Sequence, residues 1–363
     1  MTVRKQAILI FFLILMGSGA LAQGDFLDEE ESPGSRLEFF GDAQLRGDAV
    51  RDLPRPVDSD FDRTTLRARF GFLWLVNDML DVGVAGKINQ SSESNAETRF
   101  NLDNEKADDE SVDELFLRVN YAADSEFLFG QSRFPFELTP ALWDQDLRPQ
   151  GVSLRHRFAL GTFSSFDITA GAFLGNHIFE DESRVSAVQA AWRFNQGRRT
   201  EFELALAYLD FEELDELALN GLRRTNLSAP DGTFLNDFNI ADLQFAVKFG
   251  QRRFPVEIRL DAFQNLEADD QGDAARIDFI FGDSFRRKGF EFGLASQRIQ
   301  REALPGAFND DDWWFPTWMR GTTAWFAYGF NESFRIKLAG FRERRDDQVD
   351  HNKRVLLDLQ WFF

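Results

Sequence analysis

From Arg36 onward, apolar and polar residues alternate through successive segments of about ten residues, the period of a strand whose two faces meet different surroundings. The clearest case spans Arg63 to Val76. There Leu66, Ala68, Phe70, Phe72, Trp74 and Val76 fall on one face, and Arg63, Thr65, Arg67 and Arg69 on the other. Asn77-Asp78 follows, after which Leu80, Val82, Val84 and Ile88 resume the apolar face, with Asp81, Gly83, Ala85, Lys87 and Asn89 opposite. Asn and Asp tolerate positive φ, so this pair between two alternating runs predicts a hairpin.

The same pattern predicts strands at 36–46, 63–76, 79–90, 112–122, 125–132, 150–158, 165–175, 184–194, 200–210, 238–249, 255–266, 274–282, 289–299, 317–330, 334–344 and 352–363. The connections alternate in length. Those at 77–78, 123–124, 195–199, 250–254 and 331–333 are short, whereas 47–62, 91–111, 133–149, 211–237 and 300–316 are long and polar. An even number of strands, about sixteen, joined by alternating turns and loops predicts an all-β chain, a transmembrane antiparallel up-and-down β-barrel over 36–363. In the last segment Val355, Leu357, Leu359, Trp361 and Phe363 alternate with Arg354, Leu356, Asp358, Gln360 and Phe362. This ending, with Trp361 and Phe363 as its aromatic positions, resembles the assembly signal that barrel-insertion machinery reads.

Ahead of the alternation lies an address. Arg4 and Lys5 precede the apolar run Ala7 to Met16, and Ala20-Leu21-Ala22 fits a small-residue cleavage site. Residues 1–22 therefore read as a secretory signal peptide, with the mature chain starting near Gln23. The apolar run is far shorter than the roughly 20 residues a spanning helix needs. Acidic, turn-rich residues 23–35 read as a flexible periplasmic segment. A mean hydropathy of −0.35 suggests a soluble protein, but alternation averages a barrel's hydropathy toward neutral. The 41 Phe suit a lipid-facing surface, and the absence of Cys removes disulfides and thiolate metal sites. Net charge is −20, and loss of Arg4 and Lys5 with the leader makes it more negative still, which argues against nucleic acid as a partner. The expected location is the cell outer membrane, with lipid, lipopolysaccharide and the barrel assembly machinery as partners.

One stretch carries more than architecture. Gly130-Gln131-Ser132-Arg133-Phe134-Pro135-Phe136 is followed by Leu142-Trp143-Asp144-Gln145-Asp146-Leu147-Arg148-Pro149-Gln150-Gly151. It resembles the segment in the "putative porin" family of Gram-negative outer membranes where G-x-x-R/K-x-P-F precedes W-D-x-D-x-x-P-x-G. Arg63 to Gly71 and Val82 to Lys87 are similar to that family as well. The resemblance covers about the first third of the mature chain and implies a barrel and a channel role. It implies no catalytic residue, metal or cofactor.

Sixteen strands leave an aqueous lumen. The alternation directs Arg63, Arg67, Arg69, Arg118, Arg155 and Arg157 inward as a basic stripe, and the loop 133–149 carries Glu137, Asp144 and Asp146. If that loop enters the pore, its carboxylates face the arginines and a transverse field at the constriction favours small polar solutes. Alternatively, the arginines pair with neighbouring acids and hold loops in place. The expected function is passive diffusion of small polar or charged solutes. A binding transporter or export channel for anionic saccharides, and a non-conducting structural or adhesin barrel, are the alternatives. A homotrimer is compatible with the sequence.

The acidic stretches Glu93 to Glu110 and Asn309 to Asp312 read as solvated charge in preference to a calcium loop. Trp313, Trp314 and Trp318, with Phe315 and Pro316, read as an outer-leaflet aromatic girdle in preference to a sugar-stacking platform. His156, His177 and His351 lie in no catalytic motif, and His156 falls on the lipid face, so no enzyme activity is expected.

Overall fold

A computed structural model describes residues 35–53, 60–93, 109–175, 182–251 and 254–363. The signal peptide 1–22, nearly all of segment 23–35, most of the acidic stretch from Glu93 to Glu110, and His177 lie outside the described residues. Sixteen strands run in chain order. The first eight are β1 (Arg36–Arg51), β2 (Phe61–Asn77), β3 (Leu80–Ser91), β4 (Asp109–Ala122), β5 (Ser125–Gln131), β6 (Gln150–Ala159), β7 (Ser165–Leu174) and β8 (Arg184–Phe194). The second eight are β9 (Thr200–Glu212), β10 (Phe238–Gln251), β11 (Phe254–Asn265), β12 (Asp273–Gly282), β13 (Gly289–Ile299), β14 (Met319–Gly329), β15 (Phe334–Arg345) and β16 (Asn352–Phe362).

Every strand pairs antiparallel with its sequence neighbours, and β1 pairs with β16, so the sheet closes. Hydrocarbon offers no partner for a backbone N–H or C=O, and closure removes the unpaired edges. At the seam the amide of Gly41 donates to the carbonyl of Phe363 (2.9 Å) and that of Phe363 to Gly41 (3.1 Å). Phe363 thus extends the ladder across the seam.

The two faces separate as the alternation requires. On β16, Val355 and Leu357 are 47% and 46% exposed, whereas Arg354, Leu356 and Asp358 between and beside them are almost fully buried, at 1% to 2%. The outer surface is apolar and rich in Phe, and the inner surface carries the charge. Short connections and both chain ends of the barrel lie at one rim, long loops at the other.

Two details differ from the alternation-based expectation, each with a local cause. The first hairpin turns at Asp78 and Met79, because the Asn77 side chain accepts the Met79 amide (2.9 Å) as the register shifts between Leu75 and Asn77. A second shift opposite Ala85 and Gly86 places both Asp113 and Glu114 on the buried side. Such a bulge adds one residue to one strand and re-aims its side chains.

Inside the barrel, large rings lie over glycines. Gly293 pairs with Trp325, and a Cβ on Gly293 would sit 1.9 Å from that ring. The indole N–H donates to Glu291 (2.7 Å). We expect Gly293→Val to lower the unfolding free energy by about 1–3 kcal/mol through overpacking. Gly340→Val, where an added Cβ meets nothing within 4 Å, stays near wild type. Urea unfolding in lipid vesicles compares the two.

Candidate functional site

Between β5 and β6 the chain leaves the wall and enters the lumen. Proline at 135, 140 and 149 keeps this stretch, 133–149, from extending the ladder. Its own small core forms instead: the Phe134 ring stacks on Trp143 at 3.9 Å and packs against Phe136 and the β7 residue Phe173. The Thr139 carbonyl accepts the amides of Leu142 and Trp143, and the Asp144 side chain accepts the Asp146 amide at 2.8 Å. These turns fix where the loop's carboxylates point.

The loop is fastened on opposite sides. Asp146 contacts both Arg67 and Arg69 of β2, the latter at 3.1 Å. At the other end Glu137 pairs with Arg193 of β8, and the Glu137 backbone exchanges hydrogen bonds with Gln189 of β8 and accepts one from Gln244 of β10. Thr139 donates to Asp261 of β11. The loop therefore crosses from β2 to β8, β10 and β11, strands well separated around the ring. A cavity of about 400 Å³ adjoins it, lined by Phe134, Glu137, Trp143, Arg193, Lys248 and Arg259 among others.

A second inward loop, 300–318, meets the first. The Asp144 amide donates to Phe308 O (2.6 Å), the Asp310 amide to Pro140 O (3.0 Å), and the Trp143 ring stacks on Phe308. The third loop, 213–237, clamps the second from behind. Asn226 donates to the carbonyls of Arg301 and Leu304 and accepts the Gly306 amide, while Glu302 accepts from Leu227 and Asn236. Leu142, Leu217, Leu304, Phe308 and Met319 are buried where the loops meet.

These contacts correct the readings of 309–318. Trp313, Trp314 and Phe315 are buried inside the barrel and do not form an outer girdle. Buried Glu343 of β15 accepts the amides of Trp314 (2.8 Å) and Phe315 (3.1 Å), while Trp313 meets Phe341 edge-on and Trp314 meets Phe61. Outward rings at the short-turn rim, Phe158, Phe194, Phe249 and Phe254 among them, supply an aromatic belt instead. Nor is Asn309 to Asp312 simply solvated charge. Asn309 is buried with its amide on Pro316 O, Asp312 pairs with Arg46 at 2.6 Å, and Arg354 donates to the carbonyls of Asp311 and Asp312. The carboxylate oxygens of Asp310, Asp311 and Asp312 lie within 4.8 Å of one another, with the Arg46 contact at one end.

All six arginines on the expected stripe carry carboxylate partners, but they do not form one stripe. Arg67 and Arg69 meet the loop, whereas Arg63 is buried against Asp48 (3.1 Å), which also takes Arg354 (2.8 Å). Arg118 pairs with Asp81, and Arg155 and Arg157 share Asp167 with Arg193. Through Asp81, Arg118 registers with Leu75, six residues along β2 from Arg69, or about 20 Å of strand. Of the loop carboxylates, Asp146 faces that wall, Glu137 faces β8, and Asp144 faces the acidic loop.

Alternation alone missed Asp113 and Glu114, which pair with Arg148 of the loop (3.6 and 3.2 Å), and Asp113 also reaches Arg69. Two acids between outward Val112 and Leu115 were the available signal. The Asp48–Arg354 and Arg46–Asp358 pairs join β1 to β16 and left no signal short of closure. His156 faces outward, its ring stacked on Tyr121 with the hydroxyl 3.0 Å from Nδ1, and His351 lies by Arg342.

The loop carboxyls divide electrostatically. Burial, together with Asp311, Asp146 and Asp310, pushes the Asp144 carboxyl well above its ordinary value; burial and Asp312 do the same for Asp310. Burial opposes the Asp146 and Asp312 charges too, but Arg67 and Arg69 hold Asp146 well below the ordinary range, and Arg46 lowers Asp312.

A closed sixteen-stranded barrel with an apolar exterior, a charged lumen and a loop drawn across it from β5 to β6 is the architecture of the porin class. Solved structures agree on the fold. OprB of Pseudomonas putida at high pH aligns with a TM-score of 0.59 at 11% identity, covering 91% of this chain and 94% of that one. OmpF of Salmonella typhi, solved with daunomycin, gives 0.57 at 12%, covering 93% and 100%. A loop-deleted OmpT, an outer-membrane protein of Vibrio cholerae, gives 0.54 at 11%, covering 91% and 100%. No curated protein sequence matches the chain. The family model described as "Putative porin" matches residues 42–248, more than half of the chain, and the protein belongs to that family.

Two outcomes follow from the ion pairs. Asp48→Ala strips the shared carboxylate from two buried guanidiniums and should cost about 3–5 kcal/mol of stability. Removing partly exposed Arg118 as Ala should cost no more than about 1 kcal/mol, both read from denaturant midpoints. As for pH, Asp144 and Asp310 hold protons more tightly with the loops docked, so docking strengthens as pH falls through their raised range. The gain reverses once Asp146 and Asp312 protonate, below the ordinary carboxylate value of about 4. Longer low-conductance dwells on acidification, largely lost in Asp144→Asn, are the expected record.

Proposed function

We propose that this protein is a passive channel of the outer membrane for small polar or charged solutes, narrowed by the loop 133–149 together with the loop 300–318. The short-turn rim faces the periplasm and the long loops face outward, as in bacterial barrels generally. The observation that carries the reading is the two-sided attachment of loop 133–149, with Asp146 on Arg67 and Arg69 at one end and Glu137 and Thr139 on β8, β10 and β11 at the other. A segment tied at both ends across a water-filled tube sets the free cross-section and places charge where a solute is least hydrated. Opposed charges there order water, so an apolar solute that displaces it gains little and a polar one loses less. Membership of a porin family supports reading the chain as a channel.

Planar-bilayer conductance of the refolded mature chain, with salts of increasing ion size, tests the reading. The expected record is stepwise conductance that falls with ion size, and a shift of reversal potential toward cations in Arg67→Ala and Arg69→Ala. Asp146→Ala should shift it toward anions and raise single-channel conductance as the loop loosens. Current block by micromolar anionic saccharide would move the assignment to a binding transporter. Silence in bilayers from a folded barrel would leave a structural role.

A further inference from the structure

On the outer face near the long-loop rim, the register brings cations into line. Arg298 of β13 pairs with Arg320 of β14, and Arg320 with Arg344 of β15, three guanidinium-bearing positions side by side on adjacent strands. One step lower on the same face, Arg342 of β15 pairs with Lys353 of β16, and Lys353 with Arg51 of β1. Like charges directly opposite one another destabilise a sheet unless an anion lies between them. Lys353 and Arg51 have theirs, in Asp52 at 2.8 Å and Asp62 at 2.7 Å. For the other four, Asp346 is the only carboxylate in reach among the described residues, touching Arg320 at 2.6 Å and Arg298 at 3.3 Å. Arg342 meets the His351 imidazole and Arg344 the Gln348 carbonyl. Burial, with Arg342 and Arg344 against Asp350, holds the His351 imidazole below its ordinary value, in keeping with excess positive charge at the rim.

Both rows continue into an apolar surface. The upper runs from Arg298 through Ala275 and Ala262 to Leu243, and the lower from Arg342 through Thr322, Ser296, Ile277 and Leu260 to Phe245. Small side chains at the junction leave a groove of about 780 Å³ on the barrel exterior, bordered by Arg298, Arg320, Arg342 and His351. Farther down the same face lie Leu294, Phe326 and Leu338, exposed as lipid-facing residues are. The cations therefore stand at headgroup height above an apolar trough.

We propose that this surface binds a phosphorylated glycolipid of the outer leaflet, its phosphates on Arg298, Arg320, Arg342 and Arg344 and an acyl chain in the groove. The proposal rests on the orientation given above, with the long loops outward. Guanidinium groups take phosphate oxygens in paired hydrogen bonds, and three neighbouring strands span about 10 Å, room for more than one phosphate. In a chain of net charge −20 such a patch runs against the overall balance, and a second copy presenting the same four arginines would be repelled.

The test uses the full refolded barrel in detergent and three probes: a bis-phosphorylated disaccharide lipid, its dephosphorylated form, and inorganic phosphate. The triple change Arg298→Gln, Arg320→Gln and Arg342→Gln should weaken glycolipid binding at least tenfold, the matching Lys triple should restore most of it, and dephosphorylated lipid should bind like the Gln triple. Inorganic phosphate should compete only at concentrations far above the lipid's. Equal binding by the Gln triple, equal binding of the dephosphorylated lipid, or displacement by phosphate at equal concentration overturns the proposal. Because the chain has no Cys, Thr322→Cys gives a single thiol, and efficient cross-linking to a second copy, unaffected by lipid, would also overturn it by assigning the face to a subunit contact. Conductance is recorded alongside and should be wild type in both triples. A wild-type barrel that holds lipid yet passes no current removes the channel reading and leaves this one intact.

Discussion

Backbone hydrogen bonding in a medium without water is the constraint from which the rest follows. A sheet in hydrocarbon cannot leave an edge, so sixteen strands close through β1 and β16, with Gly41 and Phe363 exchanging hydrogen bonds across the seam. Closure then gives each strand one dry face and one wet face. Phe, Leu and Val go outside because no polar partner exists there, and arginines and acids go inside where water and one another can satisfy them.

Within the lumen the same logic acts on charge. Arginines are expensive to bury alone, and here each buried guanidinium finds a carboxylate or a carbonyl: Arg63 and Arg354 at Asp48, Arg148 at Asp113 and Glu114, Arg46 at Asp358 and Asp312. Some of these carboxylates belong to the wall and some to loops. The loops are held inward because their acids complete the pairing of wall arginines, so the channel's shape and its electrostatics have one cause. The apolar contacts of Trp143, Phe308 and Leu304 exclude water around those pairs and strengthen them.

Alternation made the strands readable one at a time, and the sixteen predicted segments correspond to the sixteen found, with ends displaced by a few residues. It also set the loop acids Glu137, Asp144 and Asp146 against six arginines, and of these Asp146 does meet Arg67 and Arg69. It failed where a polar loop turns inward. Trp313 and Trp314 beside four polar residues look like a membrane-interface belt, and only the buried Glu343 carboxylate on another strand explains why they face the other way. Asp113 and Glu114 failed for a different reason, since a bulge breaks the period of two that the reading relies on.

Sequence by itself determined the class of fold, the number of strands, the lipid-facing side of strands with unbroken alternation such as β2, β3 and β16, and the residues on which the family resemblance rests. These depend on interactions between a residue and its medium, which leave a local periodic trace. Tertiary structure decided which charges meet, because Asp48 with Arg354, Glu137 with Arg193 and the row of Arg298, Arg320 and Arg344 join strands far apart in the chain. Partners of that kind are set by register and closure, and neither is written in any one segment.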